Sequence, residues 1–452
     1  MNLIAKLPKI LKESKLEYQS VQAGSYFVSE WIGEGKNILA NSDNMPFMKY
    51  LHDELNMAGK INLVYIDPPF FSKVNYRTEI KLHSEKINTI PIMKQKAYHD
   101  LWEDGMEEYL RMLAARLYMI KDLLAEDGCL WVHLDWHGVH YVKIILDEIF
   151  GENNFINEII WNYKSGGVSK KYFARKHDTL LFYAKSPKYY FKAQQEKSYN
   201  REYKPYRFKG VSEYKDELGW YTMVNMKDVW QINMVGRTSA ERTGYATQKP
   251  EQLMERILES CSKEDDLCAD FFGGSGTLAK AADKMNRRWI SCDLGKLATV
   301  NSHKRMVQSS QKGYQCYEEW KNTVNQGIVE VGADLQSLAI SDKIKLTIEI
   351  KRYLPNSLKD ILVEEKYIPV IENIIKNDSL QLVDYWSIDF DYNGIEFRPD
   401  LLFCKNNDGL NFTCEWLAKE FKKIGIRVID IFGSSVLTII NMERETGDES
   451  KN

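Results

Sequence analysis

The chain has 452 residues, of which 44% are hydrophobic and 28% are charged, and its formal net charge is -3 at pH 7. The hydrophobic content is ample for a packed core, and the length predicts two or three domains. The near-neutral charge argues against a protein that binds nucleic acid over its whole surface.

The cysteines and the N-terminal segment indicate the compartment. Seven cysteines are scattered without a C-x-x-C pair, which is typical of free thiols in a reducing environment. Residues 1–9 are interrupted by lysines and a proline and do not have the pattern of a signal peptide, and no apolar run approaches membrane length. We therefore expect a cytoplasmic protein without a membrane segment.

The most informative early strand covers 62–66 and ends in Asp67-Pro68-Pro69-Phe70. Its β-branched and aromatic residues predict a buried parallel strand, and ligands of open α/β sheets dock at the carboxyl ends of such strands. Asp67 and the Pro68 carbonyl can accept the two hydrogens of an exocyclic amine, while Phe70 can stack on its ring. A strand followed by Asp-Pro is also common at ordinary turns. Whether this motif is an amine-binding site or an ordinary turn therefore depends on the motifs in the rest of the chain.

The next elements are a core helix, predicted over 109–124 by its apolar spacing, and a strand over 129–134. His133, His137 and His140 form a cluster around the end of this strand. No cysteine accompanies them, so packing or loop polarity is preferred to a zinc site, and no metal is expected.

A basic segment follows. Residues 162–211 contain 13 Lys or Arg against three acids, interleaved with tyrosines and phenylalanines, which suits phosphate contact combined with stacking on an unpaired base. The alternative is a solvated basic face over a hairpin core, and 179–184 does predict a core strand. The candidate DNA-binding residues are Lys164, Lys170, Lys171, Arg175 and Lys176.

A second site is predicted at a glycine-rich turn between a short strand, 267–269, and a helix. Glycines let a ligand approach the backbone closely, and an acid about 20 residues further on binds ribose hydroxyls in Rossmann-like units. No third glycine is in register, which argues against a dinucleotide dehydrogenase. The candidate residues are Asp270, Phe272, Gly273, Gly274, Ser275, Gly276 and Thr277, with Asp293 after the strand 288–292.

The C-terminal third is predicted to be a small β-rich domain beginning near residue 340. Glycines punctuate its strand-like runs, and a helix is predicted over 351–376. Residues 341–452 contain 15 basic and 20 acidic side chains, so a protein partner or a dimer contact is favoured over DNA. The predicted strands are 346–350, 382–390, 395–397, 426–432 and 435–440.

Together these motifs resemble those of DNA amino-methyltransferases. Residues 67–70 are similar to the D-P-P-[YF] motif, and 71–76 to the branch that includes type III modification subunits. Residues 272–276 resemble the F-x-G-x-G element that holds S-adenosylmethionine, and 248–250 the Q-K-P helix start. The cofactor loop follows the catalytic motif by 206 positions, from Asp67 to Gly273, an order that matches the β class of the family.

The resemblance implies an α/β fold: a Rossmann-like S-adenosylmethionine-dependent methyltransferase sheet in permuted order, with an inserted target-recognition segment and a small C-terminal β-rich domain. Further residues near the cofactor would be Asp43 and Asn44, in the polar turn after the strand 37–40, with Gln248 and Lys249. The implied parts are a catalytic half (1–161), a target-recognition segment with core hairpin strands (162–245), a cofactor-binding half (246–340) and the C-terminal domain (341–452).

The function implied is site-specific transfer of a methyl group from S-adenosylmethionine to the N6 amine of adenine in double-stranded DNA, after the base is flipped out. N4 methylation of cytosine is an alternative, for which the family more often has Ser in place of Asp67. A recognition subunit serving a restriction nuclease or helicase partner is another, although an intact Asp67 and glycine loop argue against a silent subunit. A homodimer or a restriction or helicase subunit are the protein partners to consider.

Overall fold

The structure is a computed structural model. It describes residues 2–72, 75–80, 82, 84, 86–87, 90–100, 102–103, 105–310, 312–320, 327–338, 342–356, 363–406 and 409–442. Lys73 and Val74, in the continuation of the Asp-Pro-Pro-Phe motif, lie outside these residues. No helix in the described part of the chain is long and apolar enough to cross a membrane.

Helices and strands alternate on both sides of a strand-rich segment, 155–231, and strands predominate after Val307. The helices are α1 (Leu3–Ser20), α2 (Asn44–Asp53), α3 (Met106–Leu123), α4 (Val139–Phe150), α5 (Glu251–Cys261), α6 (Thr277–Lys284), α7 (Lys296–Val307) and α8 (Ile368–Asp378). The strands are β1 (Tyr26–Ile32), β2 (Asn37–Asn41), β3 (Ile61–Ile66), β4 (Asn75–Ile80), β5 (Met93–His99), β6 (Leu124–Leu134), β7 (Phe155–Asn162), β8 (His177–Ala184), β9 (Gln195–Tyr199), β10 (Glu213–Lys215), β11 (Trp220–Asn225), β12 (Val229–Gln231), β13 (Leu267–Asp270), β14 (Arg288–Asp293), β15 (Tyr314–Glu319), β16 (Gly327–Ser337), β17 (Ile344–Pro355), β18 (Val383–Asp389), β19 (Leu401–Cys404), β20 (Thr413–Ala418), β21 (Lys423–Asp430) and β22 (Ser435–Asn441).

The central feature is a ten-stranded sheet in the order β1-β15-β2-β14-β13-β3-β6-β8-β7-β12. The strands from β15 to β6 pair in parallel, whereas β8 is antiparallel to both β6 and β7. Successive residues of β3 enter two different hydrophobic clusters: Val64 and Ile66 enter one, Leu63 and Tyr65 the other. A largely parallel sheet covered on both faces confirms the predicted α/β fold.

The carboxyl ends of four parallel strands meet along one side of this sheet, which we call the carboxyl edge. It comprises 41–44 after β2, 67–70 after β3, 270–277 after β13 and Asp293 at the end of β14. β3 and β13 are neighbours, with Val64 opposite Ala269, although they are far apart in the chain. The permuted order therefore brings both predicted motifs to the same edge.

The loop between β7 and β8 reaches the same edge. Since β7 and β6 are both antiparallel to β8, β7 ends where β6 ends. We call residues 163–176 the basic loop. The predicted core strand 179–184 lies within β8. The three strands that follow β8 along the chain form a small separate sheet in the order β10-β11-β9.

The C-terminal part consists of two sheets, β16-β17-β20 and β19-β18-β21-β22, packed together with α8. The predicted β-rich character is correct, but two details are not. The strand β16, which begins at Gly327, pairs with β17, while the domain boundary near 340 stays a prediction. Residues 351–355 continue β17, and the helix predicted over 351–376 starts only at Ile368. Residues 395–397 do not form a strand.

A hairpin links the carboxyl edge to the C-terminal sheets. It consists of β4 and β5, and it follows the Asp-Pro-Pro-Phe motif directly. Ile80 and Met93 from the hairpin are buried in the same hydrophobic cluster as residues of the C-terminal sheets. Gln95 donates to the Phe432 carbonyl at 3.4 Å.

Candidate active site

Asp67 is the first residue after β3 and lies at the carboxyl edge, with Pro68 buried and Pro69 half-buried behind it. Its Oδ2 accepts a hydrogen bond from the ammonium of Lys249. Its Oδ1 is buried and has no hydrogen-bond partner among the described residues, and His133 Nδ1 lies 4.0 Å away. Because an unpaired buried acceptor costs about 1–3 kcal/mol, this oxygen marks a place where an external donor would bind.

His133 is the centre of a hydrogen-bonded network behind Asp67. Its Nδ1 is 2.7 Å from the Tyr65 hydroxyl, and its Nε2 is 3.2 Å from Asp178 Oδ2. Tyr163 donates to the other oxygen of Asp178 at 3.0 Å. Burial raises the pKa of Asp178, but its hydrogen bond with His133 and the charge of that ring hold the pKa below its usual range. Both nitrogens of His133 therefore have protein partners.

Phe70 lies half-buried next to this network. Its ring centre is 5.7 Å from that of His133, and the Lys249 ammonium is 5.1 Å from the ring centre. These neighbours hold the aromatic face close to the unpaired oxygen of Asp67.

Asp100 holds the turn that follows Phe70 and is completely buried. One of its oxygens accepts from the Phe71 backbone N–H at 2.9 Å, and the other accepts from the backbone and hydroxyl of Ser72 at 2.5 and 2.6 Å. Phe71 has a φ of 62°, which residues other than glycine rarely adopt. Asp100 therefore stabilises a strained turn, and no local sequence signal identifies it.

The glycine-rich loop joins β13 to α6 beside Asp67. Gly274 and Gly276 have φ values of 50° and 71°, in the left-handed region that favours glycine. A Cβ on Gly276 would lie 2.7 Å from Ser302 Oγ, so the close packing also requires glycine. Asp293 ties the loop down because its Oδ2 accepts from the Gly274 N–H at 2.8 Å. The loop consequently presents backbone at the carboxyl edge.

Three acids lie together at this edge: Asp67, Asp270 and Asp293. Burial raises the pKa of Asp270 well above its usual range; the Phe272 N–H opposes this shift and the charge of Asp67 adds to it. Burial also raises the pKa of Asp293, against the hydrogen bonds that it accepts from backbone N–H groups. A cluster of buried acids favours a ligand that brings positive charge or hydrogen-bond donors.

Asp43 and Asn44 support the glycine loop from the side of β2. Asp43 caps α2 by accepting from the Met45 N–H at 2.9 Å, and Asn44 donates to the Phe271 carbonyl at 2.6 Å. Arg116 donates to both side chains, at 3.0 and 2.6 Å respectively. The predicted pair is thus adjacent to the loop, and Arg116 is a further member that the sequence did not indicate.

Gln248 and Lys249 have different positions. Gln248 accepts from the Thr243 N–H at 2.8 Å and donates to a carbonyl of the same loop at 2.6 Å, so its side chain is used locally. Lys249 connects the two motifs, since its ammonium contacts Asp67 and its carbonyl accepts from the Thr277 hydroxyl at 3.2 Å. Of the two, only Lys249 contacts a motif directly among the described residues.

The side chains of Ser275 and Thr277 are buried beneath the loop, 3.2 Å apart. Arg305 from α7 donates to the Ser275 carbonyl and to the Thr277 hydroxyl, both at 3.1 Å, and to Glu251 at 2.7 Å. These polar side chains therefore shape the loop from within. Phe272 is half-buried against the core.

The basic loop is mostly exposed at the same edge. Lys176 is the exception, since its ammonium donates to the Ser165 and Gly166 carbonyls at 3.0 and 2.5 Å. The remaining predicted residues are exposed: Lys164, Lys170, Lys171 and Arg175.

Aromatic and apolar side chains accompany these charges. The Arg175 guanidinium lies 3.8 Å from the ring centre of Trp136 and 4.8 Å from that of Tyr172. Phe173 and Val168 are 98% and 93% exposed. A loop that offers cations and exposed rings together suits a partner that carries both phosphates and bases.

The sequence model described as a DNA methylase matches residues 61–299, more than half of the chain, and the chain belongs to this family. Membership confirms the predicted class of enzyme, a DNA methyltransferase that uses S-adenosylmethionine.

Individual relatives are distant. The type II methyltransferase M2.DpnII of Streptococcus pneumoniae is 24% identical over 305 residues, which are 67% of this chain and 99% of that protein. The Mod subunit of the type III restriction-modification enzyme EcoP15I of Escherichia coli is 26% identical over 165 residues, covering 34% of this chain and 25% of that protein. A solved M1.HpyAVI–SAM complex aligns with a TM-score of 0.38 at 17% identity, covering 60% of this chain and 98% of the other.

Proposed function

We propose that the chain is a site-specific methyltransferase that transfers a methyl group from S-adenosylmethionine to the N6 amine of adenine in double-stranded DNA. The observation that carries this proposal is the unpaired Oδ1 of Asp67, which lies at the end of a strand adjacent to the one that leads into the glycine loop. An acceptor for an amine and a loop suited to a nucleoside-type cofactor are thereby next to each other.

Bound S-adenosylmethionine supplies the electrophilic methyl group. We assign its binding to the backbone of 272–277 and to Asp293, whose oxygens each accept one backbone N–H, at 2.8 and 2.7 Å, and retain lone pairs for ribose hydroxyls. Two observations support the fit: glycine conformations that keep the loop free of side chains, and an acid cluster that suits a positively charged sulfonium. Asp43, Asn44 and Gln248 act as supports behind this site.

The target base is placed by the Asp-Pro-Pro-Phe motif. The amine of a stacked adenine is inaccessible, so the base has to be extruded at a cost of a few kcal/mol. Phe70 stacks on the extruded base, while Asp67 Oδ1 and the Pro68 carbonyl accept from its amine and turn the lone pair toward the methyl group. Lys249 is a positioning residue, because it holds Oδ2 and leaves Oδ1 for the substrate. Most of the acceleration then comes from orientation and matched electrostatics.

The basic loop is proposed to contact the DNA backbone next to the extruded base. Its four exposed cations lie beside the exposed rings of Tyr172 and Phe173 at the carboxyl edge. Phosphate contacts from such side chains supply affinity and register without reading the sequence.

Phe70 offers a test of the stacking role. Phe70→Ala should weaken productive substrate binding by about 1–3 kcal/mol, the usual value of base–aromatic stacking, whereas Phe70→Trp should keep measurable activity. Steady-state methylation of a duplex oligonucleotide measures both variants. Equal losses in the two would show that the ring serves packing rather than stacking.

The product decides between adenine and cytosine. We expect N6-methyladenine when DNA from an otherwise unmethylated host expressing the chain is analysed by nucleoside mass spectrometry and long-read sequencing. Asp67→Ala is the inactive control. Asp127→Ala is the matched active control, because Asp127 is exposed near the opposite end of β6. N4-methylcytosine as the main product would overturn the adenine assignment while leaving the family intact.

A second candidate is a recognition subunit that acts with a restriction nuclease or helicase partner, and the similarity to a type III Mod subunit favours it as an additional role. The purified chain alone separates the two. Methyl transfer without a partner supports the enzyme, and transfer that requires a second subunit supports the alternative.

A further inference from the structure

A cavity of about 220 Å³ lies between the large sheet and the C-terminal sheets. Its walls come from β1 and β15 of the large sheet, from α7, and from β21 of the C-terminal part. None of the residues proposed for methyl transfer lines it. Three side chains of different chemistry converge there: Glu30, His303 and Cys316.

The three potential ligand atoms lie within 4.8 Å of one another, and all three residues are buried. Glu30 Oε2 is 3.5 Å from His303 Nε2, yet neither atom has a hydrogen bond to any described residue. Cys316 Sγ is 3.4 Å from the other ring nitrogen of His303. Arg427 Nε, 3.9 Å from Glu30 Oε2, also has no hydrogen bond to a described residue. Three buried polar atoms without hydrogen bonds to described residues therefore lie together beside a thiol.

The other polar atom of each group already has a partner. Glu30 Oε1 accepts from the hydroxyls of Tyr385 and Ser387 at 2.6 and 2.7 Å. His303 Nδ1 is 3.1 Å from the Tyr314 hydroxyl. Such outer contacts are what orient carboxylate and imidazole ligands in metal sites, with the remaining oxygen or nitrogen directed at the ion.

Backbone geometry brings two of the ligands into register. β1 and β15 pair antiparallel with Glu30 opposite Cys316, and the register shifts between Val28 and Glu30. This bulge changes the direction of the strand next to Glu30. The third ligand comes from α7, which follows β14 along the chain.

Four charged side chains line the cavity: Glu30, Glu318, Arg427 and Lys296. Arg427 donates to Glu318, and its Nε is 3.9 Å from Glu30 Oε2. The formal charges of these four groups sum to zero, so it is the arrangement of the three potential ligand atoms that favours a metal.

We propose that Glu30, His303 and Cys316 bind a zinc ion that fastens the C-terminal sheets to the methyltransferase core. Nitrogen, thiolate and carboxylate ligands in a tetrahedral arrangement are typical of Zn²⁺, and a water in the cavity completes the fourth position. Binding replaces the thiol proton of Cys316 by the metal and releases that proton to solvent.

Metal analysis of the full chain, purified without a metal-affinity step, tests the site. We expect about one zinc per chain by mass spectrometry. After treatment with a chelator, titration with Co²⁺ should produce a thiolate charge-transfer band in the near ultraviolet and intense visible bands typical of tetrahedral cobalt. Zinc should also raise the melting temperature of the chelator-treated chain.

Two variants locate the site. Cys316→Ser should remove the charge-transfer band, while Cys414→Ser, a buried free cysteine in the C-terminal sheets, is the matched control and should retain it. His303→Gln should weaken zinc binding by more than about tenfold, since loss of even an outer contact costs 10–100-fold. Circular dichroism checks that the wild-type chain is folded after chelation. The proposal is overturned if this folded chain shows no cobalt bands and no heat of zinc binding in isothermal titration calorimetry. It is also overturned if the thiolate charge-transfer band survives in Cys316→Ser.

Discussion

Two aspartates show how the carboxyl edge differs from the C-terminal sheets. Asp430 in the C-terminal part accepts from the backbone of Phe432 and Ser434 at 2.9 and 2.8 Å and from the Tyr353 hydroxyl at 2.9 Å. Asp67 at the carboxyl edge has one oxygen bonded to a lysine and the other without a described partner. The hydrogen-bonding capacity of Asp430, which stabilises the fold, is used within the protein. Asp67, the proposed substrate contact, keeps one oxygen without a hydrogen bond to a described residue.

The largest effect that this contrast predicts is on catalysis. Asp67→Ala should lower methyl transfer by more than about 100-fold, because misplaced reacting groups alone cost that much. S-adenosylmethionine affinity should change by less than about tenfold, or 1.4 kcal/mol, since the substrate amine is the proposed partner. Single-turnover transfer and calorimetry measure the two quantities. Retained transfer would show that the open oxygen has no role in the reaction.

Asp430 should affect stability instead, with a defined pH dependence. Burial raises its pKa from 3.8 to about 6, so the native state holds the proton more tightly than the unfolded chain. Its contribution to the free energy of unfolding is therefore greatest below pH 4 and is lost as pH rises through 6, by up to about 3 kcal/mol.

Asp430→Asn cannot titrate and should not show this decline, so the difference between wild type and variant should change between pH 4 and 6. Urea unfolding at several pH values measures this difference, and circular dichroism of the native state at each pH serves as the control for folding. A difference that is independent of pH would contradict the assigned shift.

A smaller effect is expected at the cofactor side of the carboxyl edge. Asp293→Ala should weaken S-adenosylmethionine binding by about 1.5–3 kcal/mol, the usual value of a hydrogen bond to a charged group, and leave nonspecific DNA binding nearly unchanged. Asp293→Asn is the matched control, since it keeps one acceptor for the Gly274 N–H. Similar losses of cofactor and DNA binding would indicate misfolding rather than a ligand contact.

The smallest expected effect concerns the basic loop. Neutralising Lys170, Lys171 and Arg175 together should reduce the salt dependence of DNA binding by up to about three units, one for each phosphate contact. Adding Lys176→Ala should change the slope little, because its ammonium already bonds to carbonyls of the loop. Binding isotherms at several salt concentrations measure the slope.

A triple alanine variant in the C-terminal part, outside its strands, provides the matched control and should leave the slope unchanged. An unaltered slope in the loop variant, or an equal reduction in the control, would move the DNA surface elsewhere. The control positions are Lys376, Lys419 and Lys422.

The carboxyl edge could be predicted from the sequence because its parts are short motifs at strand ends. Asp67, the glycine loop and Asp293 each follow an apolar strand, and parallel pairing brings such ends together. Their supporting contacts could not, since they join residues far apart in the chain: Tyr65 with His133, and Asn44 with Arg116. A histidine inside the apolar strand 129–134 was the available signal for the first pair.

The C-terminal part was less predictable for a related reason. Residues 351–355 have no local feature that distinguishes the end of a strand from the start of a helix, and their pairing with β16 decides the outcome. β19 and β20 were missed because both are short and only partly buried. The apolar runs 346–350, 426–432 and 435–440 were recognised, because burial dominates there.

The hairpin β4–β5 has a genetic consequence. The hairpin begins just after Ser72 and ends just before Asp100, the residue that holds the strained turn. Its other end packs against the C-terminal sheets. A nonsense mutation late in the reading frame would remove that packing surface and leave every catalytic motif intact. The sequence of such an allele would still contain all the methyltransferase motifs. We expect its product to lack methyl-transfer activity.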